Sequence, residues 1–127
     1  MDDSLILVVE DDARLRERLA RYLASEGFRV TASGDAADAR AKLRAINPDL
    51  MVLDVMMEQP DDGIAMAQEL RRTGQMLPIV MLTSVGKVTG MSFDKDSDLV
   101  PVDAFFEKPV RPDELIGTVR DLLARKK

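Results

Sequence analysis

Leu50-Met51-Val52-Leu53-Asp54 is the stretch that decides the fold. Four apolar residues without polar alternation describe a short strand buried on both faces, as in a parallel sheet. The carboxylate of Asp54 follows at once, at the end of the strand where open α/β sheets place their ligands. Other apolar runs end in a similar way. Leu5-Ile6-Leu7-Val8-Val9 leads to Glu10-Asp11, Ile79-Val80-Met81-Leu82 leads to Thr83, and Ala104-Phe105-Phe106 lies just ahead of Lys108.

Between these runs the hydrophobic period changes from strand to helix. Asp12 can cap a helix that runs to about Ser25, with Leu15, Leu19, Tyr22 and Leu23 on one face and Gly27 as its stop. A shorter, more polar strand over residues 28–32 suits a sheet edge. Ser33 or Asp35 opens a second helix with Ala36, Ala39, Leu43 and Ile46 on one face, ended by Asn47-Pro48. A third helix is expected over residues 64–72, a fifth strand over residues 102–106, and a last helix that starts at Pro112 and buries Leu115, Ile116, Val119 and Leu122. Repeated βα units imply an α/β fold: a doubly wound, five-stranded parallel sheet in the order 2-1-3-4-5, with helices on both faces. The whole of residues 1–127 reads as a single domain without linker or repeat.

Composition removes several function classes. The chain has no cysteine and no histidine, which excludes disulfides, zinc-thiolate sites, His-based triads and a phosphohistidine of its own. The formal net charge of −5, without a basic stripe, argues against nucleic-acid binding. No run reaches membrane-spanning length and the acidic start lacks a signal-peptide pattern, so a cytoplasmic protein without membrane contact is the expectation.

The strand ends carry the chemistry. Glu10 and Asp11 precede a helix that Asp12 can cap, which leaves the other two acids to be explained. In the 2-1-3-4-5 order they face Asp54 across adjacent strands. Carboxylates crowded in this way raise one another's pKa, and a hard cation held by oxygen ligands, Mg²⁺ or Mn²⁺, relieves the repulsion. Asp54 is then either a metal ligand or a nucleophile for a phosphoryl group, while alone it reads as a loop cap. Thr83 alone is an ordinary β-branched strand residue, and Lys108 alone a surface lysine. Together they offer a hydroxyl donor for a phosphoryl oxygen and an ammonium that pairs with Asp54 before transfer, in one shallow pocket.

Leu7-Val8-Val9-Glu10-Asp11-Asp12, Leu53-Asp54-Val55-Met56-Met57, Met81-Leu82-Thr83-Ser84 and Glu107-Lys108-Pro109-Val110, in this order, resemble the four signatures of the receiver domain of two-component response regulators. The resemblance covers nearly the whole chain and implies a CheY-like, flavodoxin-like fold. It implies that Asp54 is the phosphoacceptor, Asp11 a direct ligand of Mg²⁺, Glu10 its acidic neighbour acting through metal-bound water, and Met56 a ligand through its backbone carbonyl. It further implies that Thr83 is the switch hydroxyl, Lys108 the phosphate-binding lysine and Phe105 the switch aromatic; Phe105 alone reads as core. The partners implied are a sensor histidine kinase or phosphotransfer protein as donor and a downstream protein. The protein would not be an enzyme toward external substrates. Homodimerisation is left open, as is whether this is a stand-alone receiver without an output domain or a module cut from a larger regulator or hybrid kinase.

Two stretches depart from the family pattern. Met57-Glu58-Gln59-Pro60-Asp61-Asp62-Gly63 carries extra acids, a displaced proline and one residue more than usual. Residues 84–101 should hold the fourth helix but contain Gly86, Gly90 and the acidic run Phe93-Asp94-Lys95-Asp96-Ser97-Asp98. A calcium loop there is rejected, because Leu99 and Phe105 stand where Gly and Glu are required. A short, displaced or absent fourth helix is the expectation. An aspartyl-nucleophile phosphatase would need a second Asp at position 56, where Met56 stands. A flavin carrier would need a Ser/Thr/Gly-rich first turn, which is acidic here.

Overall fold

The computed structural model describes residues 4–54, 62–84, 102–108 and 110–126. The elements are β1 (Leu5–Val9), α1 (Ala13–Ser25), β2 (Arg29–Ser33), α2 (Ala36–Ile46), β3 (Leu50–Asp54), α3 (Asp62–Arg72), β4 (Ile79–Ser84), β5 (Ala104–Lys108) and α4 (Pro112–Lys126). The strands form one parallel sheet in the order β2-β1-β3-β4-β5. This is the expected doubly wound arrangement, with β2 at an edge. The expectation about the fourth helix falls on residues 85–101, outside the described residues.

Local chemistry explains the boundaries. Asp12 caps α1, its Oδ1 accepting from the Arg14 N–H at 3.0 Å and the Leu15 N–H at 3.4 Å. Gly27 ends that helix with φ +98°, the left-handed conformation glycine adopts without steric cost. Phe28 is therefore not the first residue of β2: its N–H turns back to the Leu23 carbonyl and its ring is buried. Asp35, not Ser33, caps α2, accepting from the Asp38 N–H at 2.7 Å. Ser33 instead closes β2. Helix α3 begins at Asp62, two residues earlier than residue 64.

Strand β5 lies two residues later than expected. The Asp103 carboxylate accepts from the Ile79 N–H at 2.8 Å, so a side chain takes the place of a strand carbonyl there. At the other end Lys108 pairs with Ser84 and is the last residue of β5 rather than lying beyond it.

Side chains alternate across the sheet with the period of two that strands impose. Leu7, Val9, Met51, Leu53, Ile79 and Met81 pack with Leu43, Met66 and Leu70 under α2 and α3. Ile6, Val8, Leu50, Val52, Val80 and Leu82 pack with Leu19, Leu23, Leu115, Val119 and Leu122 under α1 and α4. Each such side chain contributes about 1.5–3 kcal/mol by leaving water, against the entropy of ordering the chain. Ile46 departs from its expected buried face and is 37% exposed. It is the last residue of α2, and Asn47 turns the chain away at φ 45°.

Candidate functional site

The parallel register carries four strand ends to one edge. Val9 pairs with Leu53, so Glu10 and Asp54 leave β1 and β3 side by side. Asp54 pairs with Leu82, which places Thr83 one residue further along β4. Ser84 pairs with Lys108 on β5.

Three carboxylates converge there. Glu10, Asp11 and Asp54 each offer an oxygen within 4.8 Å of the others. Glu10 is wholly buried and Asp54 is 2% exposed, while Asp11 is exposed. The site is thus deeper than a shallow pocket, and Asp11 is its solvent-facing acid. Lys108 Nζ stands 2.8 Å from Glu10 Oε1 and 3.3 Å from Asp54 Oδ1. The Lys108 ammonium is thus the ion-pair partner of two buried carboxylates at once. Glu10 Oε2 accepts from the Asp12 N–H at 3.1 Å. The Thr83 hydroxyl is buried without a hydrogen-bond partner among the described residues.

The electrostatics follow from this crowding. Burial raises the pKa of Glu10, and Asp54 pushes it further, against the opposing pull of Lys108 and the Asp12 N–H. Asp11 is raised by desolvation and then by Glu10. Burial disfavours the Lys108 ammonium, but Glu10 and Asp54 outweigh it and raise its pKa. The ammonium therefore stays charged at neutral pH.

This donor set fits a hard divalent cation. It is all oxygen, and its three carboxylates carry more negative charge than the Lys108 ammonium neutralises. The fold brings together Glu10, Asp11, Asp54 and Lys108, with Thr83 at the adjoining strand end. Phe105 pairs with Met81 and is partly buried against the cluster under α2 and α3. Met56 lies outside the described residues.

Sequence reasoning misses Arg16 and Gly34, and reads Ser33 only as a possible helix opener. Arg16 Nη1 donates to the Glu10 carbonyl at 2.8 Å, and the Glu10 N–H donates to the Ser33 carbonyl at 3.0 Å. An arginine on a helix reads as surface, and no sequence signal marks a guanidinium that turns back onto the preceding loop.

The chain matches the family model of the response regulator receiver domain over residues 6–120. It is 38% identical over 122 residues to Response regulator MprA of Mycobacterium ulcerans (strain Agy99), covering 96% of this chain and 51% of that protein. MprA of Mycobacterium tuberculosis (strain ATCC 25618 / H37Rv) gives the same identity and coverage. The chain spans about half the length of these curated relatives. Among solved structures, the receiver domain of the Francisella response regulator 1452 superposes with a TM-score of 0.85 at 26% identity, covering 98% of this chain and 100% of that one. The chemotaxis protein CheY4 of Vibrio cholerae superposes with a TM-score of 0.78 at 25% identity, covering 95% and 99%. No helix among the described residues is long and apolar enough to cross a membrane.

Proposed function

The chain belongs to the response regulator receiver-domain family, and from that premise we propose that Asp54 is its phosphoacceptor, served by Mg²⁺ held at Glu10 and Asp11. The observation that carries the proposal is the Lys108 ammonium, 2.8 Å from Glu10 and 3.3 Å from Asp54 at one sheet edge. The donor is the phosphohistidine of a sensor histidine kinase or phosphotransfer protein, and the protein acts in the cytoplasm with that donor.

An Asp54 carboxylate oxygen attacks the phosphorus. The P–N bond to the donor imidazole breaks, and its electron pair leaves with the ring nitrogen. Strand β3, paired on both sides, holds the nucleophile still. Bound Mg²⁺ would supply charge neutralisation for the phosphoryl oxygens, with the Asp11 and Asp54 carboxylates and the Met56 carbonyl as its protein donors and Glu10 acting through metal-bound water. The Lys108 ammonium moves from the carboxylates to a phosphoryl oxygen. The Thr83 hydroxyl gains in that oxygen an acceptor that it lacks among the described residues. Rearrangement of Thr83 and Phe105 biases the β4–β5 side toward a second conformation that a downstream protein reads. Water later cleaves the acyl phosphate. The domain signals and turns over no external substrate.

The test is intact-protein mass after incubation with Mg²⁺ and acetyl phosphate. One phosphoryl adduct is expected on the wild type and none on Asp54→Asn. A wild type that stays unmodified, or an adduct that persists in Asp54→Asn, would overturn the proposal.

A further inference from the structure

Arg16 lies in α1, one turn after the Asp12 cap. Its side chain turns back along the helix, and Nη1 donates to the Glu10 carbonyl at 2.8 Å. Gly34, after β2, flanks the same guanidinium: a Cβ there would fall 2.8 Å from Arg16 Nη1 and 3.4 Å from Cζ. Gly34 is not among the glycines with positive φ, so what it supplies is space rather than conformational freedom.

Glu10 is gripped at other points from the same side. Its N–H donates to the Ser33 carbonyl at 3.0 Å. Ser33 is itself fixed: its buried hydroxyl donates to Asp38 Oδ2 at 2.7 Å, and Asp38 pairs with Lys42 at 2.8 Å. Both backbone groups of Glu10 are therefore held, its N–H by the end of β2 and its carbonyl by Arg16 of α1.

We infer that Arg16 is a positioning residue for the acidic pocket: seated in the slot that Gly34 leaves open, it clamps the Glu10 carbonyl and fixes where the Glu10 and Asp11 carboxylates stand beside Asp54. The inference rests on the reading of the pocket as a Mg²⁺ and phosphoryl site. A charge effect predicts the opposite sign. Removing a cation near three carboxylates strengthens Mg²⁺ binding, whereas loosening the carboxylates weakens it.

Mg²⁺ titration by calorimetry, with a thermal melt of each protein, tests this on the wild type, Arg16→Ala, Arg16→Lys, Gly34→Ala and the Arg16→Ala/Gly34→Ala double variant. Arg16→Ala should bind Mg²⁺ roughly tenfold more weakly, and Arg16→Lys should recover part of the loss. Gly34→Ala should also weaken binding, because its methyl displaces the flexible end of the guanidinium. In the Arg16→Ala background the same methyl meets no guanidinium and should have no further effect. Phosphorylation by acetyl phosphate at saturating Mg²⁺ should return toward the wild-type rate in every variant. Mg²⁺ affinity that is unchanged or tighter in Arg16→Ala, even with a lowered melting temperature, would overturn the inference. So would additive effects of the two substitutions. If Arg16→Ala does not fold, Gly34→Ala alone decides by the same readout. A wild type that neither binds Mg²⁺ nor takes a phosphoryl group overturns the pocket reading itself; a wild type that does both beside unaffected variants overturns only the role of Arg16.

Discussion

Lys108 Nζ, at the end of β5, lies 2.8 Å from Glu10 Oε1 beyond β1, across two intervening strands, and is nearer to Glu10 than to Asp54 at 3.3 Å. The sequence suggests a pairing of Lys108 with Asp54. The fold adds Glu10 as the closer partner: its side chain is wholly buried, and among the described residues Lys108 is the cation paired with it.

Lys108→Met leaves the buried Glu10 carboxylate without its counter-charge. It should destabilise the metal-free protein by about 2–3 kcal/mol at neutral pH. In a Glu10→Gln background the same substitution should cost much less. Urea denaturation of the four proteins completes the cycle, and equal costs in both backgrounds would refute the coupling.

Thr83→Val removes a buried hydroxyl that has no hydrogen-bond partner among the described residues. The unphosphorylated protein should gain about 1 kcal/mol, since an unsatisfied polar group is replaced by a methyl of similar shape. The phosphoryl adduct should form more slowly in the same variant. Stability and phosphorylation rate thus move in opposite directions, and a loss of stability would show that the hydroxyl is already satisfied.

The raised pKa values of Glu10 and Asp11 set a pH dependence. A carboxyl raised in the folded state binds its proton more tightly there than in the unfolded chain. Its contribution is fully present below the unfolded value and is lost as pH rises through the folded one. The metal-free protein should therefore gain from these two groups as pH falls through their raised folded values. Mg²⁺ competes with those protons. Its stabilisation, about 2.7 kcal/mol at a hundredfold excess over Kd, should be largest at neutral pH and shrink toward acid. Melts with and without Mg²⁺ across this range measure it; a Mg²⁺ effect that grows on acidification would contradict the assignment.

Asp38 behaves in the opposite sense. Lys42 and the Ser33 hydroxyl hold its pKa below the ordinary carboxylate range. That contribution is present above the unfolded value and disappears as pH falls through the lowered folded value. Asp38→Asn should melt below the wild type at neutral pH, and the two melting curves should converge in acid.

Much of this site is legible in the amino-acid sequence because parallel strands bury both faces. Apolar runs such as Ile79-Val80-Met81-Leu82 mark their own ends, and the residues that follow them collect at one edge. Asp12 is readable as a cap because its competitor acids have another use. Side-chain-to-backbone bonds are not readable in this way. The Asp103 carboxylate takes the Ile79 N–H just ahead of β5, and neither it nor Arg16 on the Glu10 carbonyl has a periodic signature. The depth of Asp54 follows from packing around β3, which local pattern does not encode.

Strand β3 is bonded to β1 on one side and β4 on the other, from Met51 through Leu53. Its amides should take up deuterium only when the entire domain opens, not through local fraying. Isotope exchange along this strand therefore reports global opening directly beside Asp54, and any effect of Mg²⁺ or phosphorylation on the stability of the whole fold becomes measurable at that point.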